Sequence, residues 1–242
     1  MSIPGLDAWL QSPQGSYVLE WEQAKIDALV ADIFGFHALQ LGLPQVNYLR
    51  DNRIPLRLKA GESGLVDVRC DLRQLPFASA SLDLVVLPHV LEFLPDPHQM
   101  LREVERVLIP EGQVVIAGFN PLSLWGLRRY LPGQREGLFP WNGNYLSVLR
   151  LKDWLALLGF EVDRGNFGCY APPFEQSKWL QRCHFMEPAG DRWWGFAGGT
   201  YLLRAVKRVP GMRLVLPAWK ERKARAKALA PITQKEANDN GQ

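Results

Sequence analysis

The stretch from Leu75 to Phe119 constrains the fold of this chain more than any other. Residues 82–87 form a nearly unbroken apolar run of strand length. Residues 97–108 then repeat at helical spacing, with Met100, Leu101, Val104, Val107 and Leu108 on one stripe and Arg102, Glu103, Glu105 and Arg106 off it. A turn at Pro110-Glu111-Gly112 leads into a second apolar run, 113–119. Strand, helix, strand in so few residues is a βαβ unit, which demands a parallel sheet. Strands this continuously apolar are covered by helices on both faces.

The flanks extend the same pattern. Residues 1–15 are turn-rich. Ser16 is a candidate cap for a helix carrying Ile26, Leu29, Val30 and Ile33 and ending by Gly35. Residues 37–43 read as a first strand, 54–60 as a second and 66–70 as a short third near a sheet edge. Asp83 and Asn120 are read as residues that turn the chain at strand ends. Residues 132–143, rich in Gly, Pro and aromatics, form a candidate lid. Leu151, Trp154, Leu155 and Leu158 make another helix stripe closed by Gly159. Strands follow at 160–165 and 200–206. Between them, residues 172–199 are dense in aromatics. They either pack a final helix on the sheet or clamp an aromatic or lipid-like molecule or a surface.

Charge and cysteine content exclude several classes. The formal charge is +3 from 28 basic and 25 acidic residues. The excess lies in the tail, where six basic and three acidic residues fall between Ala218 and Gln242. The body is neutral, so no basic face for nucleic acid is expected beyond weak contact through the tail. Cys70, Cys169 and Cys183 are odd in number and widely spaced, and with His37, His89, His98 and His184 they form no readable metal cluster. A reduced, cytoplasmic setting follows. No secretory signal and no transmembrane run is read.

The text LPFxxxSLDLVV, HVLEFLPDP and LREVERVLIPEGQVVI resembles the middle of the class I S-adenosylmethionine-dependent methyltransferases of the type 11 group, over roughly residues 66–120. The resemblance implies a three-layer, Rossmann-like α/β sandwich, mostly parallel, with an antiparallel last strand between strands five and six. It implies a domain over residues 1–217, with its core at about 16–207, an aromatic helical segment at about 172–199, and a basic tail at 218–242. It also implies S-adenosylmethionine as cofactor.

Carried over residue by residue, the resemblance sets Gln40 where the family has an acid after the first strand, and leaves Gly42 from a Gly-x-Gly-x-Gly loop. Leu43, Pro44 and Gln45 narrow that loop, which is either modified or lost as a cofactor cradle. Glu62 stands near the family's ribose-binding acid, or is a solvated loop residue. Asp71 and Leu72 match the adenine position, or Asp71 caps a turn. His89, at the carboxyl end of a central strand, is a cofactor contact and the candidate general base, or a local hydrogen-bonding group that shapes the pocket. The expected activity is methyl transfer to a small or lipid-like acceptor. The alternative is a catalytically silent relative retained as a binding or scaffold module.

Overall fold

The computed structural model describes residues 5–129, 139–183 and 185–209. The helices are α1 (Leu6–Leu10), α2 (Pro13–Val30), α3 (Pro97–Val107), α4 (Leu124–Arg128), α5 (Val148–Leu157), α6 (Ser177–Arg182) and α7 (Met186–Trp193). The strands are β1 (His37–Leu41), β2 (Leu56–Gly61), β3 (Val68–Arg69), β4 (Leu82–Pro88), β5 (Leu108–Phe119), β6 (Phe160–Gly168) and β7 (Thr200–Lys207). Most of the 132–143 segment, His184 and the basic tail lie outside the described residues. The described core belongs to a unit that closes at Val209.

Alternation along each strand divides the apolar residues between two faces. Leu39, Leu41, Val85, Leu87, Val114 and Ile116 face α3 and α5, where Met100, Leu101, Val104, Leu151 and Leu155 complete one core. Ala38, Leu84, Val86, Val115 and Ala117 face the opposite way, onto Val18, Ile26, Leu29 and Val30 of α2. The stripe of α3 is wholly excluded from water, at roughly 1.5–3 kcal/mol for each large side chain.

The seven strands are ordered β3-β2-β1-β4-β5-β7-β6. β1 through β5 are parallel, and β7 runs antiparallel between β5 and β6. This is the three-layer Rossmann-like methyltransferase sandwich implied by the central motif.

Several boundaries differ from the sequence reading. Residues 5–15, expected as part of a turn-rich stretch, instead hold α1 and the start of α2. Ser12, not Ser16, caps α2, its hydroxyl accepting the Gly15 amide at 3.1 Å, and Pro13 takes the first helical position, where its missing N–H costs nothing. The turn expected at Pro110-Gly112 is absorbed into β5 as a bulge. The register against β4 slips between Leu82 and Leu84, and Glu111 sits at φ 65.

Asp83 has a structural part but does not turn the chain, since it lies inside β4. Its carboxylate accepts the Phe36 and His37 amides at 2.8 and 2.9 Å, fastening the entrance of β1 to β4. Asp83→Ala leaves both amides to water. It should lower stability by about 1–3 kcal/mol and the melting temperature by roughly 3–8 °C, with no change in ligand binding at the opposite edge. Thermal unfolding followed by circular dichroism checks this.

Candidate functional site

The strand order reverses direction between β1 and β4. In open α/β sheets that switch point opens a crevice at the carboxyl ends of the strands. A cavity of about 240 Å³ lies there. Gly42, Leu43 and Pro44 after β1 line it, together with Gly61, Glu62 and Gly64 after β2, Leu72 after β3, and Pro88, His89 and Phe93 after β4.

The loop after β1 is built around one glycine and one buried amide. Gly42 has φ +81, and a Cβ on it would come 2.5 Å from Cγ2 of Val90. Gln40 is completely buried. Its Nε2 donates to the carbonyls of Gly42, Leu43 and Val46 at 3.2, 3.1 and 2.9 Å, and its Oε1 accepts the Tyr48 amide at 3.0 Å. A carboxylate could not donate to these carbonyls; a carboxamide both donates and accepts. Gln40 is thus spent on the backbone and does not line the cavity.

The loop it holds turns Leu43 at φ 43 into the core, 5% exposed, so that Pro44 forms a wall of the crevice. Gly64, at φ +91, lets the β2 loop close on Pro44, which a Cβ would meet at 2.7 Å. Leu43 lines the space without filling it, most of its side chain being packed in the core.

His89 sits on the cavity floor with a strained backbone, φ 51, its amide donating to the Ala117 carbonyl at 3.0 Å. The imidazole is 2% exposed. Its Nε2 is 2.6 Å from Oε1 of Glu22 on α2, and its Nδ1 is 3.1 Å from Oε2 of Glu92. The second oxygens are also satisfied: Tyr48 Oη donates to Glu22 Oε2 at 3.1 Å, and the Phe119 amide donates to Glu92 Oε1. The Phe119 ring lies 4.2 Å from the imidazole. Burial works against a charge on His89, yet the charges and hydrogen bonds of Glu22 and Glu92 push its pKa up from 6.5 to about 10. At neutral pH it is an imidazolium donating from both nitrogens. In this arrangement it offers no lone pair to a substrate proton.

The other sequence candidates separate. Glu62, half-buried, and Leu72, 8% exposed, line the cavity with Gly42 and His89. Asp71 is solvent-exposed and outside the lining. It accepts the Arg73 side chain and amide, and these bonds hold its carboxyl down at about 2. Asn120 turns the chain through bonds to the Phe196 and Gly198 carbonyls.

Sequence reading missed Glu22 and Glu92. For Glu22 the signal was present: it stands midway between Val18 and Ile26 at i+4 spacing, a carboxylate on a buried stripe. Among the described residues, no group of three or more His, Cys, Asp or Glu side chains could hold a metal ion.

Residues 46–116 match the family described as a methyltransferase domain, type 11. The match covers the middle of the chain, and the fold around it is that of the class I methyltransferases. The cofactor of this domain and fold is S-adenosylmethionine. The chain is 36% identical over 159 residues to the uncharacterized protein YafS of Escherichia coli, covering 64% of this chain and 65% of YafS, less than two thirds of that relative's length. It is 36% identical over 99 residues to the malonyl-[acyl-carrier protein] O-methyltransferase of Laribacter hongkongensis, covering 39% and 33% of the two chains. A SAM-dependent methyltransferase of Thermotoga maritima superposes with a TM-score of 0.58 at 16% identity, over 80% of this chain and 95% of that one. That likeness is one of fold.

The donor set fits a nucleoside at its cavity end. Glu62 supplies a half-buried carboxylate suited to a pair of hydroxyls, Leu72 an apolar surface suited to a flat base, and Gly42 a left-handed turn.

The clamp has a pH signature. A group whose pKa is raised in the folded state contributes stability that is fully present below its unfolded value. That stability is lost as pH rises through the folded value. For His89 the window runs from 6.5 to about 10. Glu22→Gln removes one of the two carboxylates and keeps the shape. It should pull the His89 titration toward neutrality and flatten the alkaline loss of stability. NMR titration of the His89 ring and melting temperatures across that range, compared between wild type and variant, check this. A His89 ring that already titrates below 7 in the wild type would contradict the clamp.

Proposed function

We propose that this protein transfers the methyl group of S-adenosylmethionine to a small or lipid-like acceptor. The observation that carries the reading is the crevice at the β1/β4 switch point, lined but not filled by Leu43 and Pro44 although the loop keeps one glycine. The type 11 match across residues 46–116 supports it. So does a relative named for O-methylation of malonyl-acyl-carrier protein.

The cofactor, when bound, presents a methyl group on a sulfonium, already a good electrophile. Glu62 holds the sugar hydroxyls, and Leu72 covers the base. The Gly42 turn and Pro44 bound the remaining part. His89 shapes the floor without taking a proton, because Glu22 and Glu92 occupy both its nitrogens. The protein's task is therefore alignment and exclusion of water. Its acceptor brings a nucleophile that is already reactive, such as a carboxylate, a phenolate, an acidified carbon or a neutral amine. Asp71 would contact the adenine amine only if the Arg73 side chain swung away. Cys70, Cys169 and Cys183 are unpaired, which supports a reducing, cytoplasmic setting.

Calorimetric titration with S-adenosylmethionine should show saturable binding. Glu62→Gln should weaken it by about tenfold or more, the loss expected for a hydrogen bond to a charged group. Methyl-labelled cofactor added with a cell extract should then deposit label in an organic-soluble or small-molecule fraction. Neither heat nor thermal shift at millimolar cofactor would end the enzymatic reading. Binding without any label transfer would favour a module that has kept the fold and lost the chemistry.

A further inference from the structure

Exposed large apolar side chains are ordinary when scattered. Here they are concentrated. Of the fifteen among the described residues, eight fall in two segments, 122–127 and 179–196. Both segments rise from the carboxyl edge of the sheet, one following β5 and the other running from α6 to the start of β7. A groove of about 560 Å³ joins them, with Leu122, Leu124 and Leu127 on one side and Tyr170, Met186 and Trp194 on the other. Trp193, Trp194 and Phe196 are 72%, 52% and 68% exposed, and Phe185 is 69%. These are the residues that the aromatic-rich stretch contributes, and they do not pack on the sheet.

Cations are interleaved with this apolar surface. Segments 121–129 and 174–197 carry five basic residues (Arg128, Arg129, Lys178, Arg182 and Arg192) against Glu175, Glu187 and Asp191. Glu187 is turned inward, accepting the Tyr17 hydroxyl and the Cys169 and Tyr170 amides. Glu175 pairs with Arg128. Arg182 lies over the Trp179 ring at 5.1 Å, so one exposed aromatic carries its own cation. The patch is therefore apolar and net positive within a body that is neutral as a whole.

We infer that this edge of the molecule, around α4 and α7, docks on an anionic membrane surface. Tryptophan and phenylalanine seat at the boundary between headgroups and acyl chains, arginine and lysine meet the lipid phosphates, and the groove between the leucines and Trp194 receives acyl chain. No helix of the described residues is long and apolar enough to cross a membrane, so the protein lies on the surface. The patch shares its edge of the sheet with the β1/β4 crevice, so a docked molecule turns the crevice end of the sheet toward the bilayer. Docking of this kind does not depend on methyl transfer, and cofactor titration of the unbound protein is indifferent to it.

The test is cosedimentation of the full chain with vesicles of phosphatidylcholine and with vesicles of phosphatidylcholine and phosphatidylglycerol, with tryptophan emission as a second readout. Binding to the anionic vesicles with a blue shift is expected. The pair Trp193→Ser and Trp194→Ser, and separately Leu124→Ser and Leu127→Ser, should each weaken it by at least about tenfold while circular dichroism stays native. All variants keep the basic tail, so binding that survives both pairs unchanged belongs to the tail and overturns the inference. Absence of vesicle binding by the wild type overturns it as well. So does a dimer, seen by light scattering, that the same variants dissolve, since the patch would then be an interface between copies.

Discussion

One imidazolium between two buried carboxylates organises the working end of this molecule. Glu22 comes from α2 on one face of the sheet, His89 from the end of β4, and Glu92 from the loop beyond it. Charges so far from water persist only when each is paired and each remaining oxygen is bonded, and all four carboxylate oxygens here have a donor. The arrangement holds His89 in a backbone conformation that few residues other than glycine adopt, and it ties α2 to the floor of the crevice. Removing His89 would leave two carboxylates facing each other in the core, whereas removing either carboxylate leaves a charge-balanced pair, so the imidazolium is the member the clamp depends on.

Gln40 solves a second problem, that of a tight loop after β1 with one glycine. Multiple glycines let a backbone turn tightly because they lack side chains. Here the turn is made by Gly42 and by Leu43 in the left-handed region, and a carboxamide inside the loop gathers three carbonyls and one amide. Rigidity supplied by a buried side chain substitutes for permissiveness supplied by glycine. The consequence is chemical as well as mechanical. Gln40 is withdrawn from the ligand, and Glu62, Leu72 and the Pro44 wall are left to define the space.

The βαβ unit at 82–119 was legible because buried strands and an amphipathic helix write their periods directly into the text, whereas the antiparallel direction of β7 was implied only by the family resemblance. Helix starts and the β5 bulge were less so. A Ser-Pro pair can open a helix or a turn, and Pro-Glu-Gly can close a strand or be looped out of one. The site was legible only in part. Glu62, Leu72, Gly42 and His89 line one cavity, Gln40 took backbone partners the sequence did not display, and Asp71 makes the local turn that was its alternative reading.

What the sequence determined without help is the layer architecture and the strand ends at which chemistry collects, since both follow from local apolar periodicity and from which residues follow each strand. Tertiary structure decided the protonation of His89, the retirement of Gln40 from the ligand, and the union of two distant aromatic and leucine segments into one exposed groove. Each of these depends on residues far apart in the chain being brought together, as Glu22 is with His89 by a hydrogen bond and Leu124 with Trp194 as walls of one groove. Such pairings carry no periodic trace; they exist only once the sheet has brought its carboxyl ends together.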